Sequence, residues 1–444
     1  MNVNTQRVKQ LIPYEYSDKK ISPWGGMRLI KEAYDKCGFH QKLRGLAFHD
    51  RGSSVGYEHF EVIESFMMSV VLGAGNMTGA SQIRYDDILK EVFQWERGMP
   101  SQSSLSRFFQ KYGQGESDAL FSELLNWWFD MLGYKNLTLD IDSTVITRYG
   151  NQEGAEKGYN PKKKGRKSHH PIMAFVAEPK MVVNGWMRTG DSASSTEFKA
   201  FLDNTFTMIG QDRIGLVRGD SGFSGNEVLK ELEKREISYI IALPMKGGLV
   251  SRILDSNKWV ASRTEGVDHC SFEYQAKSWG RPRRVVVVRK DIAKVPKSGG
   301  KTLFSAQDDY LKYRYSAYVA DTDISDELVW VNYRHRAEAE NQIKELKYDY
   351  ALEGFCFDKM EATEFAFRWV LMAYNFMSFF RNAIAVSNVK HTLSTLKFKC
   401  IAIGAYLTTS GRQKKLMLAV PLSKRDYIDS LFHQIDNLNF DSTA

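Results

Sequence analysis

The stretch LTLDIDSTVI, residues 137–146, alternates apolar and polar side chains and predicts a β-strand with two unlike faces. One face carries Leu137, Leu139, Ile141 and Val145, and the other carries Thr138, Asp140, Asp142 and Thr144. A strand of this kind belongs to a sheet with one apolar face. The chain is therefore expected to contain a sheet on which two carboxylates, from Asp140 and Asp142, project on the same side.

Residues 213–244 predict a β–α–β unit. RIGLVRGDSGFSG is a short apolar strand that ends in Asp220, NEVLKELEKRE is a helix, and ISYIIALP is a second strand. Ser224 and Glu227 have the spacing of a capping box at the start of that helix. The two strands of such a unit are parallel. Asp220 then lies at the carboxyl end of its strand, where open α/β sheets place their functional sites.

The spacing of apolar residues divides the rest of the chain. In PSQSSLSRFFQKYG, the residues Leu105, Phe108, Phe109 and Tyr112 have helical spacing, which suits either the reading helix of a helix-turn-helix or an ordinary packing helix. The predicted order is a helical N-terminal DNA-binding region (1–132), the first part of an α/β core (133–244), a mainly β insertion (245–312), the second part of the core (313–390) and a helical C-terminal tail (391–444).

Charge and cysteine content narrow the class of protein. The 444 residues include 61 basic and 53 acidic side chains, and the net charge of +8 favours an anionic partner, nucleic acid before a membrane. The four cysteines are far apart, which predicts neither a disulfide framework nor a zinc site. The first residues lack the apolar segment of a signal peptide, and the longest apolar runs are too short to span a bilayer. A cytoplasmic protein without a membrane partner is expected.

Residues 333–347, YRHRAEAENQIKELK, form a charged run of helix formers with an unusual arrangement. Tyr333, Arg336, Glu340 and Lys347 lie at offsets of 0, 3, 7 and 14. At about 100° per residue these offsets place all four on one stripe about 60° wide. A solvated face with i,i+4 ion pairs would explain the run by itself.

Three carboxylates stand at separate landmarks of the predicted fold: Asp142 on a strand, Asp220 at the end of another, and Glu340 on the charged helix. Carboxylates that meet without neutralising partners repel each other and lose hydration. Hard divalent cations, which prefer oxygen ligands, would give them a reason to meet. Spacing alone does not show that the three side chains come together.

The motif Tyr333-x2-Arg336-x3-Glu340-x6-Lys347 resembles the Y-R-E-K signature of DDE transposases from bacterial insertion sequences. DIDST, RGDSGF and YNPKKKGRKSHHP also resemble stretches of one branch of that family, which is distantly related to the piggyBac transposases. The similarity runs from about residue 20 to about residue 420. It implies an α/β fold, with an RNase H-like catalytic core of a mixed sheet flanked by helices, a mainly β insertion, and helical N- and C-terminal regions.

The resemblance also implies roles for particular residues. Asp142, Asp220 and Glu340 would bind two Mg²⁺ or Mn²⁺ ions, with Asp140 as the alternative first ligand. Arg336 and Lys347 would bind DNA phosphates, and Tyr333 would hydrogen-bond a phosphate near the cut. The basic run either contacts the DNA backbone or is a solvated loop. The resemblance also implies that a tryptophan of the insertion, for which Trp279 is the candidate, stacks on a flipped base; the alternative is that Trp279 is buried. The basic run comprises Lys162, Lys163, Lys164, Arg166 and Lys167.

The expected activity is cut-and-paste DNA transposition, in which the enzyme cleaves a phosphodiester at each transposon end and transfers the strand into target DNA. The expected partner is double-stranded DNA, at the terminal inverted repeats and at the target, bound by a homodimer in a synaptic complex within the bacterial cytoplasm and nucleoid. One alternative is an RNase H-like nuclease that cleaves without joining. Another is a DNA-binding protein derived from a transposase.

Overall fold

The structure is a computed structural model that describes residues 12–50, 56–291, 312–384 and 391–438. Its helices are α1 (Met27–Lys36), α2 (Phe39–Gly45), α3 (His59–Leu72), α4 (Met77–Gln82), α5 (Asp87–Phe93), α6 (Gln102–Phe109), α7 (Gln114–Leu132), α8 (Phe198–Ile209), α9 (Asn226–Lys234), α10 (Gly247–Leu254), α11 (Asp326–Arg334), α12 (Ala337–Tyr348), α13 (Met360–Ala383), α14 (Leu393–Leu396) and α15 (Leu422–Asp436).

Its strands are β1 (Ile21–Ser22), β2 (Leu137–Ser143), β3 (Ile146–Thr147), β4 (Glu156–Lys157), β5 (Lys167–His169), β6 (Ile172–Val176), β7 (Met181–Trp186), β8 (Ile214–Gly219), β9 (Ser238–Leu243), β10 (Val260–Ala261), β11 (Val267–Tyr274), β12 (Arg283–Asp291), β13 (Tyr313–Asp321), β14 (Ala405–Ser410) and β15 (Gln413–Leu418). Most of them form one mixed sheet of nine strands, in the order β10-β11-β12-β13-β9-β8-β2-β6-β7.

Five neighbouring strands of this sheet form the catalytic core expected from the resemblance. The strands β2, β6 and β7 are an antiparallel meander, and β8 and β9 then add in parallel on the other side of β2. The resulting order, β7-β6-β2-β8-β9, is RNase H-like. The β–α–β unit β8-α9-β9 was predicted from the sequence, and the structure confirms it.

The predicted capping box at the start of α9 is wrong. The helix begins after Gly225, and no side chain caps its first turn. The Ser224 hydroxyl instead donates a hydrogen bond to the carbonyl oxygen of Ser221, at 2.8 Å, within the 3₁₀ turn that follows Asp220. The S-x-x-E spacing therefore marked the start of the helix to within one residue, but not the contact that forms there.

The segment 245–291 extends the central sheet. Strand β13 pairs antiparallel with β9, and β12, β11 and β10 follow outward from it. Val286 and Val288 of β12 are buried against Trp330 of α11 and Tyr318 of β13 in a small second core. Within residues 245–291 the structure is mainly β, with the single helix α10. Residues 292–311 of the expected insertion lie outside the described residues.

The N-terminal helices share the principal hydrophobic core with the sheet and with α13. Leu105, Phe108 and Phe109 of α6 are buried, and the ring of Tyr112 stacks on Phe365 of α13 with centroids 4.3 Å apart. The apolar face of α6 is thus a packing face, as the second interpretation of its spacing anticipated.

Helix α13 covers the outer edge of β7 and pairs its free main-chain groups. The Asn375 side chain accepts a hydrogen bond from the N–H of Val182 at 2.7 Å and donates one to its carbonyl oxygen at 2.6 Å. Arg368 donates to the carbonyl oxygen of Gly185, and Ser378 to that of Lys180. These contacts satisfy buried backbone groups that no neighbouring strand reaches.

The C-terminal segment contains a feature that the sequence analysis did not predict. Between α14 and α15, strands β14 and β15 form an antiparallel hairpin, and β1 adds to β14. Within the described ranges of the chain, none of the helices is long and apolar enough to cross a lipid bilayer.

Candidate active site

Strand β2 brings Asp142 to the polar side of the sheet, where its carboxylate is 8% exposed. One carboxylate oxygen accepts a hydrogen bond from the N–H of Ser143, at 2.8 Å. The other lies 3.2 Å from a guanidinium nitrogen of Arg336. Asp142 is therefore a buried carboxylate that faces a cation.

Asp140 projects on the same side of β2, but both of its carboxylate oxygens already accept hydrogen bonds. Arg218 of β8 donates to both of its oxygens, with Nε–Oδ1 at 2.6 Å and Nη2–Oδ2 at 2.7 Å. The same guanidinium also donates to the carbonyl oxygen of Asn332 in α11. Asp140 and Arg218 thus tie β2, β8 and α11 together, an arrangement that favours Asp142 over Asp140 as a metal ligand. The sequence analysis did not identify Arg218 as the partner of Asp140. The one feature that could have indicated it is the presence of an arginine in an otherwise apolar strand.

Asp220 lies directly after the last residue of β8, at the edge predicted for it. It begins a 3₁₀ turn by accepting a hydrogen bond from the N–H of Gly222 through Oδ1, at 2.8 Å. Because β2 and β8 are parallel neighbours, this edge is also the one toward which Asp142 points. Asp220 is only half-buried and keeps its second oxygen uncommitted to that turn.

The charged run is not one continuous helix, as the sequence analysis expected. Helix α11 ends at Arg334 and α12 begins at Ala337, with a tighter turn between them. In this turn the N–H of Arg336 donates to the carbonyl oxygen of Tyr333 at 3.0 Å, and the N–H of Ala339 donates to the carbonyl oxygen of Arg336 at 2.9 Å. Such i→i+3 hydrogen bonds wind the backbone more tightly than an α-helix does. Glu340 lies in the first turn of α12 and is exposed.

Electrostatic coupling joins the three carboxylates. Burial raises the pKa of Asp142 to about 6; Arg336 opposes this rise, and the negative charges of Asp220 and Glu340 add to it. Like charges that share a site disfavour each other's ionised forms. Asp142 therefore lies within electrostatic range of both Asp220 and Glu340.

The donor set of this site suits a hard divalent cation. It consists of three carboxylates and contains no thiol or imidazole. The negative charges of Asp220 and Glu340 disfavour the ionised form of Asp142, and a bound divalent cation would offset this repulsion. Within the parts of the chain that the structure describes, however, no three acidic, histidine or cysteine side chains are close enough together to hold a metal. Arg336 supplies the compensating positive charge to Asp142.

Arg336 is buried and held from two sides, since its Nη2 also lies 3.3 Å from the carbonyl oxygen of Ile141. Burial lowers the pKa of Arg336, but the charges of Asp142, Tyr333 and Asp220 outweigh it, and the net shift is upward. Tyr333 is half-buried with its ring 4.5 Å from that of Tyr318, and burial raises its pKa to about 12. Both side chains border the acidic site.

Lys347 lies far along α12 and contacts the protein itself. Its ammonium group donates to the carbonyl oxygen of Val145 at 2.8 Å and pairs with the carboxylate of Glu353 at 2.7 Å. These contacts attach the end of α12 to the segment that follows β2.

Four members of the basic run lie in an exposed loop between β4 and β5, and the fifth, Lys167, is the half-buried first residue of β5. Lys163 contacts the hydroxyl of Tyr149, and Lys167 donates to Asn151 at 3.3 Å. Its other members, Lys162, Lys164 and Arg166, are exposed.

Trp279 is only 4% exposed. Its indole N–H donates to the carbonyl oxygen of Ser224 at 3.1 Å, and the guanidinium of Arg283 lies 5.3 Å from its ring. Stacking on a base would require Trp279 to leave this environment, so its expected role in base stacking stays an untested prediction.

His169 and His170, beside the basic run, have structural partners. The ring of His169 accepts a hydrogen bond from Arg148 at 3.0 Å, and its other nitrogen lies 2.9 Å from the carbonyl oxygen of Glu153. His170 lies 2.6 Å from the carbonyl oxygen of Ser192. Burial lowers the pKa of His169 to about 4 and also lowers that of His170.

Comparison with known proteins agrees with this geometry. The model of a family described as Transposase DDE domain group 1 matches residues 7–440. The match identifies a DDE-type polynucleotidyl transferase and endonuclease, a class whose reaction depends on a divalent metal. The chain belongs to that family of DDE transposases and is an enzyme of DNA transposition.

Two solved transposase structures resemble the chain at low identity. A piggyBac transposase, in a synaptic complex with hairpin DNA, is 12% identical with a TM-score of 0.34, over 85% of this chain and 82% of that one. The Mos1 transposase, in a paired-end complex with the left transposon end, is 12% identical with a TM-score of 0.18, over 44% and 61%. Both TM-scores are below 0.5, so the identification rests on the family match. No curated protein is significantly similar in sequence.

Proposed function

We propose that this transposase cleaves a phosphodiester at each end of its element and transfers the freed strand into target DNA, with Asp142, Asp220 and Glu340 as the catalytic carboxylates. The observation that carries the proposal is the place of Asp142, a buried carboxylate near the end of β2, which runs parallel to the strand β8 that ends before Asp220 and which meets Arg336, four residues before Glu340. The bidentate pair with Arg218 leaves Asp140 without a free oxygen, which supports Asp142 as the first ligand.

Asp142, Asp220 and Glu340 would hold two Mg²⁺ or Mn²⁺ ions. When bound, such a pair activates the attacking oxygen and stabilises the leaving oxygen of an in-line displacement. The protein's own contribution would be to supply three hard oxygen ligands, from the end of β2, the end of β8 and the first turn of α12. Burial of Asp142 keeps one of them partly desolvated.

Arg336, Tyr333 and Lys347 are proposed to bind the phosphates that flank the cut. Arg336 already lies beside the acidic site, and a guanidinium can donate two parallel hydrogen bonds to a phosphate. Tyr333 borders the same space. Lys347 would have to give up its contact with Glu353 to reach a phosphate. The DNA backbone would also be held by the cations of the basic run, Lys162, Lys163, Lys164, Arg166 and Lys167.

The substrate of the proposed reaction is double-stranded DNA, at the terminal inverted repeats and at the target. We propose that two copies of the chain bind the paired ends, in the bacterial cytoplasm at the nucleoid. These assignments rest on the family and on the resemblance of the Y-R-E-K motif, together with the net charge of +8.

The test uses purified protein, a labelled duplex with the native element end, and Mg²⁺ or Mn²⁺. Wild type is compared with Asp142→Asn, Asp220→Asn and Glu340→Gln for end binding, nicking and joining to a plasmid. Each variant is expected to bind the end but neither to cut nor to join. Glu338→Gln, two residues from Glu340 on the same helix, is the matched control and is expected to keep both activities.

Three outcomes would contradict parts of this proposal. Activity that survives Asp142→Asn but is lost in Asp140→Asn would move the first ligand to Asp140. Cleavage without joining would identify a nuclease. Binding without cleavage in wild type would leave only a DNA-binding protein.

A further inference from the structure

Two exposed tyrosines stand at one end of a small three-stranded sheet, whose strand β3 follows the strand that carries Asp142. In this sheet β3 and β4 both pair antiparallel with the central strand β5, so they run in the same direction. Tyr149 follows the end of β3 by two residues, and Tyr159 follows the end of β4 by two residues. Both therefore leave the sheet at the end where the basic run enters β5. We name Tyr149 and Tyr159 together the tyrosine platform.

The platform is exposed and surrounded by positive charge. Tyr149 is 71% exposed and Tyr159 is 74% exposed, although large aromatic rings are usually packed. Residues 157–167 contain six lysines and arginines and no acidic residue. The Lys163 ammonium lies 4.9 Å from the centre of the Tyr149 ring. Aromatic rings interleaved with cations are a surface suited to nucleic acid.

The loop that carries the platform is fixed in place. The buried side chain of Asn160 accepts a hydrogen bond from the N–H of Lys163 at 2.9 Å and donates one to the Thr147 hydroxyl at 3.1 Å. Gly158 packs so closely on the segment behind it that a Cβ there would lie 2.0 Å from the carbonyl oxygen of Gly190. The rings therefore project from a rigid base, which lowers the entropic cost of binding.

A chain of contacts connects this small sheet to the helix that carries Glu340. Arg148, next to Tyr149, donates to the carbonyl oxygen of Glu353 at 2.7 Å. The carboxylate of Glu353 in turn pairs with Lys347 of α12. The platform thus keeps a fixed position relative to the catalytic helix.

We infer that the tyrosine platform stacks on unpaired bases of the DNA strand that is opened at the cleavage site. Any base offers a flat face to a tyrosine ring, and each such contact contributes to binding regardless of sequence. The neighbouring cations hold the phosphates between the stacked bases. Phosphate binding to a fully paired duplex would need the cations but not two exposed rings. The inference rests on the proposed function, since it concerns the strand that this active site would cut.

The test measures binding without metal, in EDTA, so that cleavage plays no part. The probes are a short oligothymidylate that carries one 2-aminopurine and a fully paired duplex of mixed sequence. Tyr149→Ala and Tyr159→Ala are compared with the corresponding phenylalanine variants. Tyr348→Ala is the control, because Tyr348 is 75% exposed but lies beside the acidic side chains of Glu345 and Asp349.

Each alanine variant is expected to lose about 5- to 100-fold in affinity for the single strand, the range measured for one base–aromatic stack, and to quench 2-aminopurine less. Phenylalanine variants should retain both properties, and duplex affinity should change less. Equal losses on both probes would reduce the surface to phosphate contacts and overturn the inference, as would wild-type binding by the alanine variants or an equal loss in Tyr348→Ala. Cleavage of a duplex end in Mg²⁺ tests the proposed function separately.

Discussion

At the scale of single residues, Asp140 and Asp142 show how the same side chain takes two roles two positions apart. Asp140 is fully buried, and both of its oxygens accept from Arg218. Asp142 faces Arg336 and two other carboxylates, and burial raises its pKa to about 6. The first aspartate is therefore part of a buried ion pair between two strands, and the second is the one that we propose as a metal ligand.

We expect Asp140→Asn to lower the free energy of unfolding by about 3–5 kcal/mol, because it leaves the guanidinium of Arg218 buried without its counter-charge. Asp142→Asn should cost less, because its surroundings already oppose its negative charge. Urea unfolding of both variants in metal-free buffer measures the difference. Equal losses of unfolding free energy in the two variants would show that the Asp140–Arg218 pair stabilises the fold no more than the contacts of Asp142 do.

His169 predicts a pH dependence of stability. Burial lowers its pKa to about 4 in the folded protein, and a histidine in an unfolded chain titrates near 6.5. Below pH 6.5 the unfolded chain therefore binds a proton that the folded protein does not. The stabilising contribution is complete above pH 6.5 and is lost as the pH falls toward 4, by about 3 kcal/mol in total.

The measurement is urea unfolding of wild type and His169→Asn at several pH values between 4 and 7. Wild type should lose more stability on acidification than the variant does. His433→Gln, which changes an exposed histidine of α15, serves as the control and should follow wild type. A variant with the same pH slope as wild type would show that His169 is not responsible.

Strand alternation and the end of a strand predicted where Asp142 and Asp220 lie in the fold, whereas the choice of Glu340 and the role of all three as ligands came from the resemblance. The sequence could not predict their partners. Arg218 pairs with Asp140, 78 residues away in the chain, and Arg148 donates to His169, 21 residues away. Such contacts depend on how the strands align in three dimensions. The turn at Arg336 was also missed. The local sequence contains no helix breaker, so it gives no sign that the helix is interrupted there.

At the scale of elements, the strands of segment 245–291 continue the catalytic sheet. The β-prone composition predicted strands there, but composition carries no information about which sheet they join. The register of β12 against β13, and of β13 against β9, makes the segment an extension of the core. The hairpin β14-β15 was missed because its strands are short and largely exposed, so that they lack a strong apolar alternation.

Val286→Ala is expected to lower the free energy of unfolding by about 2 kcal/mol, since it removes buried methyl groups that face Ile240 and Trp330. Val260→Ala on β10 is the matched control; Val260 is 57% exposed, and the change should cost less than about 0.5 kcal/mol. Unfolding is followed by tryptophan fluorescence and by circular dichroism. One shifted transition is expected, and a separate transition for the segment would contradict its continuity with the core.

At the scale of the whole molecule, the N-terminal helices, the sheet and α13 share one principal core. The family match over residues 7–440 is consistent with a chain that folds around a single catalytic sheet. The division of the chain into five regions stays a prediction, because shared packing does not show where functional boundaries lie. The positive net charge of the chain predicts that its surface binds an anionic partner.

The side chains of α13 that pair the outer edge of β7 have a consequence for behaviour at high concentration. An open strand edge is a template on which another chain can add a strand, and such additions lead to aggregation. Asn375 already takes the place of a neighbouring strand at Val182, and the opposite end of the sheet finishes in the two-residue strand β10. Copies of this protein gathered on DNA are therefore expected to meet through helices and loops, without fusing their sheets into fibres.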